Sequence, residues 1–132
     1  MNLRRFAAKA TVVVAAGATF SLFGAPAQAS SGWDYIGDTK FPVSTADYIR
    51  SGQALSTGGD IKACIITGSS RSYAYDLWEY DPDNGHEFVG AVQGAGCWIW
   101  RNIGKYVDGD NKRAEFYIGT YDNSALWVKW YD

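Results

Sequence analysis

The chain has 132 residues, with 6 Trp and 9 Tyr but only 2 Cys, 1 His and 1 Met, and its formal net charge is −2. This length accommodates one domain. Removal of residues 1–29, argued below, takes away three of the 12 basic residues and none of the 14 acidic ones, so the remaining 103 residues carry −5. Nucleic acids and anionic membranes attract clustered Lys and Arg, and this acidic balance therefore argues against both as partners.

The first segment, residues 1–29, has the three parts of a secretory signal peptide. Three basic residues lie within the first nine positions, an apolar run follows over 10–23, and Ala27-Gln28-Ala29 supplies a small-x-small cleavage site. The run of about 14 residues is shorter than the roughly 20 that span a bilayer, so no membrane anchor is expected. Its Ala-rich composition resembles the export signals of high-GC Gram-positive bacteria. We expect cleavage after Ala29 and a secreted, extracellular protein.

The next segment, residues 30–45, is predicted to be an N-terminal arm or an edge strand. It contains Trp33, Tyr35 and Phe41, and this apolar content argues against a disordered tail. An extended segment can add a strand to the edge of a partner's sheet. These three aromatic residues are therefore the predicted docking arm.

Residues 46–132 are predicted to form an all-β domain. Runs rich in β-branched and aromatic residues alternate with clusters of Gly, Asn, Asp and Ser, which is typical of short strands joined by turns. The clearest predicted hairpins span 72–93 and 113–131. The pattern predicts a small antiparallel β-sandwich or barrel of about seven strands. The predicted strands cover residues 47–55, 61–67, 72–80, 87–93, 97–103, 113–121 and 125–131.

The two cysteines, Cys64 and Cys97, are predicted to form a disulfide. An even number of cysteines in a short exported chain indicates a bridge, because the compartment outside the cytoplasm is oxidising. A reactive thiol and a metal-ligand pair are the weaker interpretations. A free thiol would oxidise outside the cell, and the sequence has no CxxC spacing and a single imidazole. The bridge closes a loop of 33 positions, for which chain entropy predicts roughly 3 to 4 kcal/mol of stabilisation.

The aromatic residues outnumber what a small core needs to bury. In the last strand Leu126, Val128 and Trp130 form one face and are expected in the core. Large aromatic side chains on the solvent-exposed faces of the sheets are predicted to form a recognition surface, since Trp and Tyr combine a large contact area with a polar tip. The alternative is that cross-strand aromatic pairs stabilise the sheets. The predicted surface residues are Trp98, Trp100, Trp127, Tyr131 and Tyr80.

Groups that could carry chemistry are few. Two Asp-rich segments, 81–85 and 108–111, faintly resemble calcium loops, but neither is followed by the Glu of an EF-hand, and bare β-turns are expected. His86 has no marker of a nucleophile beside it and is expected at the surface. Carboxylates such as Asp76, Glu79, Asp81 and Glu115 are too common in an acidic chain to indicate a hydrolase. We therefore expect no metal, no cofactor and no catalytic activity.

These features together predict a secreted, non-catalytic binding module. The expected partner is another extracellular protein, which the module would inhibit or join as an adaptor through its aromatic surface. A carbohydrate or cell-wall polysaccharide is the first alternative, with exposed Trp side chains stacking on sugar rings. A small antimicrobial toxin is the second, although its negative charge disfavours attraction to an anionic envelope.

Overall fold

The computed structural model describes residues 32–132, and the predicted signal peptide lies outside this range. The described chain is almost entirely β, with one 3₁₀ turn at Ile103–Tyr106. Within this range no helix is long and apolar enough to cross a bilayer. Nine strands follow in order: β1 Tyr35–Lys40, β2 Ile49–Arg50, β3 Ala54–Ser56, β4 Ile61–Thr67, β5 Ala74–Glu79, β6 Glu87–Gln93, β7 Gly96–Trp100, β8 Ala114–Thr120 and β9 Ala125–Tyr131.

The strands form two antiparallel sheets. Sheet 1 has the order β1-β9-β4-β7, and sheet 2 has the order β2-β8-β5-β6, with β3 also paired to β8. The predicted all-β class is confirmed, and of the two predicted architectures, sandwich and barrel, the two sheets correspond to a small β-sandwich. The described residues form nine strands where about seven were predicted. The arm segment supplies β1, which pairs antiparallel with β9 at one edge of sheet 1.

The core lies between the sheets because the strands alternate apolar and polar side chains. In β4, Ile61, Ala63 and Ile65 are buried, while Lys62 points to the other face. Inward residues of both sheets and of the 3₁₀ turn complete one cluster. Its large members include Trp130, Tyr75, Phe116, Ile61, Leu77, Ile103, Ile118 and Val128.

Two sequence predictions are corrected by the sheet topology. Residues 113–131 do not form a hairpin, because β8 belongs to sheet 2 and β9 to sheet 1. The turn between them carries the buried Asp122, whose carboxylate accepts hydrogen bonds from Thr67 and Tyr75 and so fixes the crossing from one sheet to the other. The predicted strand 47–55 is divided into β2 and β3, which pair with opposite ends of β8. The hairpin within 72–93 is confirmed as β5–β6.

Leu126 is a third correction. Ile66 pairs with Trp127 whereas Thr67 pairs with Ala125, so Leu126 is an extra residue in β9. This bulge breaks the alternation of the strand. Leu126 is consequently exposed, while Val128 and Trp130 are buried as expected.

Candidate binding surface

The outer face of sheet 1 combines aromatic, aliphatic and charged side chains from four neighbouring strands. Paired residues of neighbouring strands point to the same side of a sheet. Pairing therefore places Tyr35, Tyr131, Lys62 and Ile99 in one row across β1, β9, β4 and β7. A parallel row contains Lys40, Trp127 and Ile66, and the row between them contains Asp38, Lys129, Cys64 and Cys97. We call these residues, with Trp33, the outer face.

Lys62 organises the aromatic end of the outer face. Its Nζ atom lies 4.3 Å from the ring centroid of Tyr131 and 5.0 Å from that of Trp33. The ring of Tyr35 packs edge-on against Tyr131 at 5.7 Å. Cation–π attraction and edge-to-face packing each stabilise such a cluster by a fraction of a kcal/mol to about 1 kcal/mol at exposed positions. The three rings thus have defined positions before any partner arrives.

Large apolar side chains on this face remain open to solvent. Tyr35 is 58% exposed, Ile99 44% and Trp127 37%. The predicted disulfide is present between Cys64 and Cys97, which face each other directly on β4 and β7. It holds the central strand β4 to the edge strand β7 in the middle of the outer face.

The outer face contains four of the eight residues predicted for recognition. Trp127 and Tyr131 come from the predicted aromatic surface, and Trp33 and Tyr35 come from the predicted docking arm. Phe41, the third arm residue, is 6% exposed and belongs to the core. It follows β1 and packs inward, so it is not accessible to a partner.

Trp98 and Trp100 face the opposite side of the same sheet. They pair with the core residues Ala63 and Ile61, and both are partly buried against the core. The Trp98 indole N–H also donates to the Gly94 carbonyl oxygen at 3.0 Å. The sequence left their orientation open because both faces of this strand are apolar, and the structure assigns both indoles to packing at the core margin.

Tyr80 lies in a separate aromatic group on sheet 2. Its ring packs edge-on against His86 at 4.9 Å, and His86 Nδ1 lies 2.6 Å from the Tyr117 hydroxyl. His86 is exposed, as expected. Arg50 extends over the ring of Tyr117, and these side chains line a cleft of about 260 Å³. Tyr80 is thus apart from the outer face.

Tyr48 covers the middle of sheet 2. Its hydroxyl donates to Asp76 Oδ2 at 2.9 Å and accepts from the Trp78 indole N–H at 3.0 Å. The side chain lies directly over Gly119, where a Cβ atom would be 2.1 Å from the hydroxyl oxygen. Burial, followed by the contact with Asp76, raises the pKa of Tyr48 well above its usual range. This outer surface is therefore partly covered by the chain's own tyrosine.

A group of carboxylates lies where β5 ends and β8 begins. Glu79, Asp108 and Glu115 each place an oxygen within 4.8 Å of the other two. Glu79 is 1% exposed, and desolvation together with the nearby Asp108 carboxylate raises its pKa to about 7. Oxygen ligands of this kind suit a hard cation.

Several of these residues were not singled out by the sequence analysis. No sequence pattern indicates that Lys62 and Ile99 share a surface with the aromatic residues, because their place on the outer face depends on which strands are neighbours. The sequence pattern does indicate the orientation of Glu79. It lies two positions after Leu77 and four after Tyr75, both core residues of β5, so alternation along the strand directs its carboxylate inward.

The comparisons with known proteins give one family. A protein of Bacillus subtilis (strain 168), described as "Uncharacterized protein YndA", is 35% identical over 103 residues, which cover 76% of this chain and 74% of the relative. No solved structure gives a significant match. The family model described as "YndA coiled coil domain" matches residues 35–130, although this range is built of strands and its only helical segment is the 3₁₀ turn. The chain therefore belongs to the YndA coiled coil domain family.

Proposed function

We propose that this chain is a secreted, non-catalytic module that binds another extracellular protein through the outer face of sheet 1. The observation that carries the proposal is that Tyr35, Tyr131, Ile99 and Trp127 all point to the same side of one sheet, with Lys62 and Lys129 between them. Protein interfaces are enriched in Tyr and Trp, and well-packed aromatic anchors contribute most of their binding energy.

The mixture of side chains favours a protein over a sugar. The Lys62 ammonium group lies over the rings of both Trp33 and Tyr131. A sugar ring stacks on a free aromatic face, and Lys62 covers one face of each of these rings. The exposed aliphatic side chain of Ile99 adds apolar area that a protein partner can bury.

Secretion is supported by two features of the chain. Residues 1–29 have the pattern of a signal peptide. The disulfide between Cys64 and Cys97 is of a kind that persists in oxidising compartments and is rare in the cytosol of mesophiles.

The test is affinity capture with the tagged mature protein from the culture fluid of the source bacterium and of a competitor. We expect a stoichiometric protein to be retained by the wild type and lost with Trp127→Asp. The control is Phe88→Asp, which alters an aromatic residue on sheet 2 that is more exposed than Trp127 (54% against 37%). Near-UV circular dichroism verifies that both variants are folded.

Two results would contradict the proposal: failure of the wild type to retain any stoichiometric protein, or equal retention by wild type and Trp127→Asp. The alternative partner, a cell-wall polysaccharide, is favoured by Trp127 alone, an exposed indole. Titration of tryptophan fluorescence with purified cell-wall polysaccharide distinguishes the two. A saturable change that Trp127→Ala abolishes would support the carbohydrate alternative.

A further inference from the structure

The carboxylates at the end of β5 form a cleft with only acidic and neutral walls. The turn after β5 and the loop before β8 enclose a space of about 500 Å³, and the residues that line it include Asp83, Asp108, Asp110 and Glu115. No Lys, Arg or His is among the lining residues. Arg113 lies close by in sequence but lines a different cleft, beside Trp130. The negative charge of this cleft is therefore not balanced by a cation from its own wall.

Glu79 is the second and independent feature. It is 1% exposed, and its Oε1 atom is buried without a hydrogen-bond partner. A buried carboxylate oxygen that lacks a partner is costly, because the lost hydration is not replaced. A Glu79 oxygen lies within 4.8 Å of oxygens from both Asp108 and Glu115, and those two residues line the cleft, so the Glu79 carboxylate lies directly beside the cleft wall.

Two other polar side chains of the cleft, those of Asp81 and Asn111, already have hydrogen-bond partners within the chain. Asp81 accepts hydrogen bonds from the Asp83 and Asn84 backbone N–H groups and from the Asn84 amide, so its role is to fix the turn. These bonds lower the pKa of Asp81. The Asn111 amide donates to Glu115 Oε1 at 2.7 Å and orients that carboxylate.

We propose that Glu79, Asp108 and Glu115 bind a calcium ion. Two oxygens that share an ion at 2.3–2.6 Å are at most about 5 Å apart, and the spacing of these three carboxylates satisfies this limit. The ligands are all oxygen and belong to strands β5 and β8 and to the loop before β8. Such a mixed set suits the adaptable coordination of Ca²⁺ better than the strict octahedron of Mg²⁺. The Asp-rich turns, expected from sequence to be bare, supply Asp108 and the acidic walls.

The proposed calcium site belongs to sheet 2 and the loop before β8, and it is separate from the outer face of sheet 1. Calcium binding can therefore be tested independently of the proposed function. We expect a site with three carboxylates to have the calcium affinity that is typical of extracellular modules, with a dissociation constant of about 0.1 to 1 mM. Calcium concentrations outside cells are sufficient to occupy such a site in part.

The experiment titrates Ca²⁺ into chelator-treated mature protein at pH 7.5, with calorimetry for binding and the unfolding temperature as a second readout. We expect one saturable site and a Tm that rises with Ca²⁺. Glu79→Gln is expected to weaken binding at least tenfold and to remove the Tm response. The matched control is Asp47→Asn, which neutralises an exposed carboxylate beside β2, near the end of β8 that lies away from Glu115, and is expected to bind as the wild type does.

Glu115→Gln provides a second variant that keeps the test valid if Glu79→Gln does not fold. The absence of saturable Ca²⁺ binding by the wild type up to about 10 mM would overturn the proposal. So would equal binding by wild type and Glu115→Gln, and a response to Mg²⁺ without one to Ca²⁺ would overturn the choice of ion.

Discussion

At the residue scale, Asp122 is a carboxyl group that is buried inside the fold and surrounded by hydrogen-bond donors. It is 1% exposed, and its carboxylate accepts hydrogen bonds from the Tyr75 and Thr67 hydroxyls and from the Ser124 backbone N–H. Tyr75 is itself fully buried. Burial, followed by the hydrogen bond to Asp122, raises the pKa of Tyr75 far above its usual value.

We predict that Tyr75→Phe lowers the unfolding free energy at pH 7 by about 1–3 kcal/mol, because Asp122 loses a donor. The folded state favours neutral Tyr75, so this contribution is fully present below the unfolded pKa of about 10 and declines as pH rises above it. Urea unfolding at pH 7, 9 and 10.5 should therefore show a narrowing difference between wild type and variant at the highest pH. Tyr121→Phe, which alters an exposed hydroxyl, is the control. A difference that stays constant with pH would contradict this account.

Gly119 carries a second residue-scale prediction. The Tyr48 hydroxyl occupies the position of any side chain at residue 119. Gly119→Ala is expected to cost about 1–3 kcal/mol through overpacking. Guanidinium unfolding of the single variants and of Tyr48→Ala/Gly119→Ala tests the cause, because removal of Tyr48 should make the added methyl harmless.

The control for Gly119 is Gly68→Ala, where an added Cβ would meet nothing closer than 3.7 Å. Its stability is expected to change little. If the costs of Tyr48→Ala and Gly119→Ala were simply additive, steric overlap with Tyr48 would not be the reason for glycine at this position.

At the scale of elements, the disulfide joins neighbouring strands rather than the two sheets. Cys64 and Cys97 are paired residues of β4 and β7. Backbone hydrogen bonds already hold these strands together, so the bridge chiefly restricts the unfolded chain over 33 positions. Its contribution should therefore be to stability rather than to the shape of the sheet.

We predict that Cys64→Ala/Cys97→Ala lowers the unfolding free energy by roughly 3 to 4 kcal/mol and leaves the far-UV circular dichroism spectrum unchanged. Urea unfolding with and without dithiothreitol measures this effect. The reduced wild type should match the double variant, and the reductant should have no effect on the double variant itself. If the unfolding midpoint of the wild type fell neither on reduction nor on replacement of both cysteines, the bridge would not stabilise the fold.

At the scale of the whole molecule, sheet 1 is assembled from strands at both ends of the described chain, the first strand β1 and the last strand β9. β9 lies between β1 and β4, and the Asp34 and Asp132 backbones exchange hydrogen bonds. The Asp132 carboxylate also accepts from the Ser56 hydroxyl and from the Thr57 backbone and hydroxyl. The last strand is thus a central part of the sandwich.

We predict that a chain ending at residue 124 does not fold cooperatively. It loses the central strand of sheet 1 and the buried Val128 and Trp130. Near-UV circular dichroism and urea unfolding should show neither native signal nor a sigmoidal transition. Removal of Asp132 alone is the control, expected to lower stability while leaving the chain folded. A cooperative transition in the chain ending at residue 124 would contradict the central role of β9.

The sequence by itself determined the all-β class, most strand positions and the disulfide, because these depend on local composition, on period-two alternation and on there being just two cysteines. It also marked the Asp-rich turns as segments of interest. Local patterns do not specify which strands are neighbours, so the hairpin 113–131 was predicted where the chain in fact crosses between sheets.

Only the tertiary structure decided which aromatic residues share a surface. Trp98 and Trp100 turn to the core margin because their partners on β4 are Ala63 and Ile61, while Trp127 and Tyr131 turn outward beside Lys62. The same holds for the three carboxylates, because Glu79 meets Asp108 and Glu115, which follow it by 29 and 36 positions, only through the pairing of β5 with β8. Contacts between distant segments depend on strand order and register, and the residue pattern of a single strand specifies neither the order nor the register.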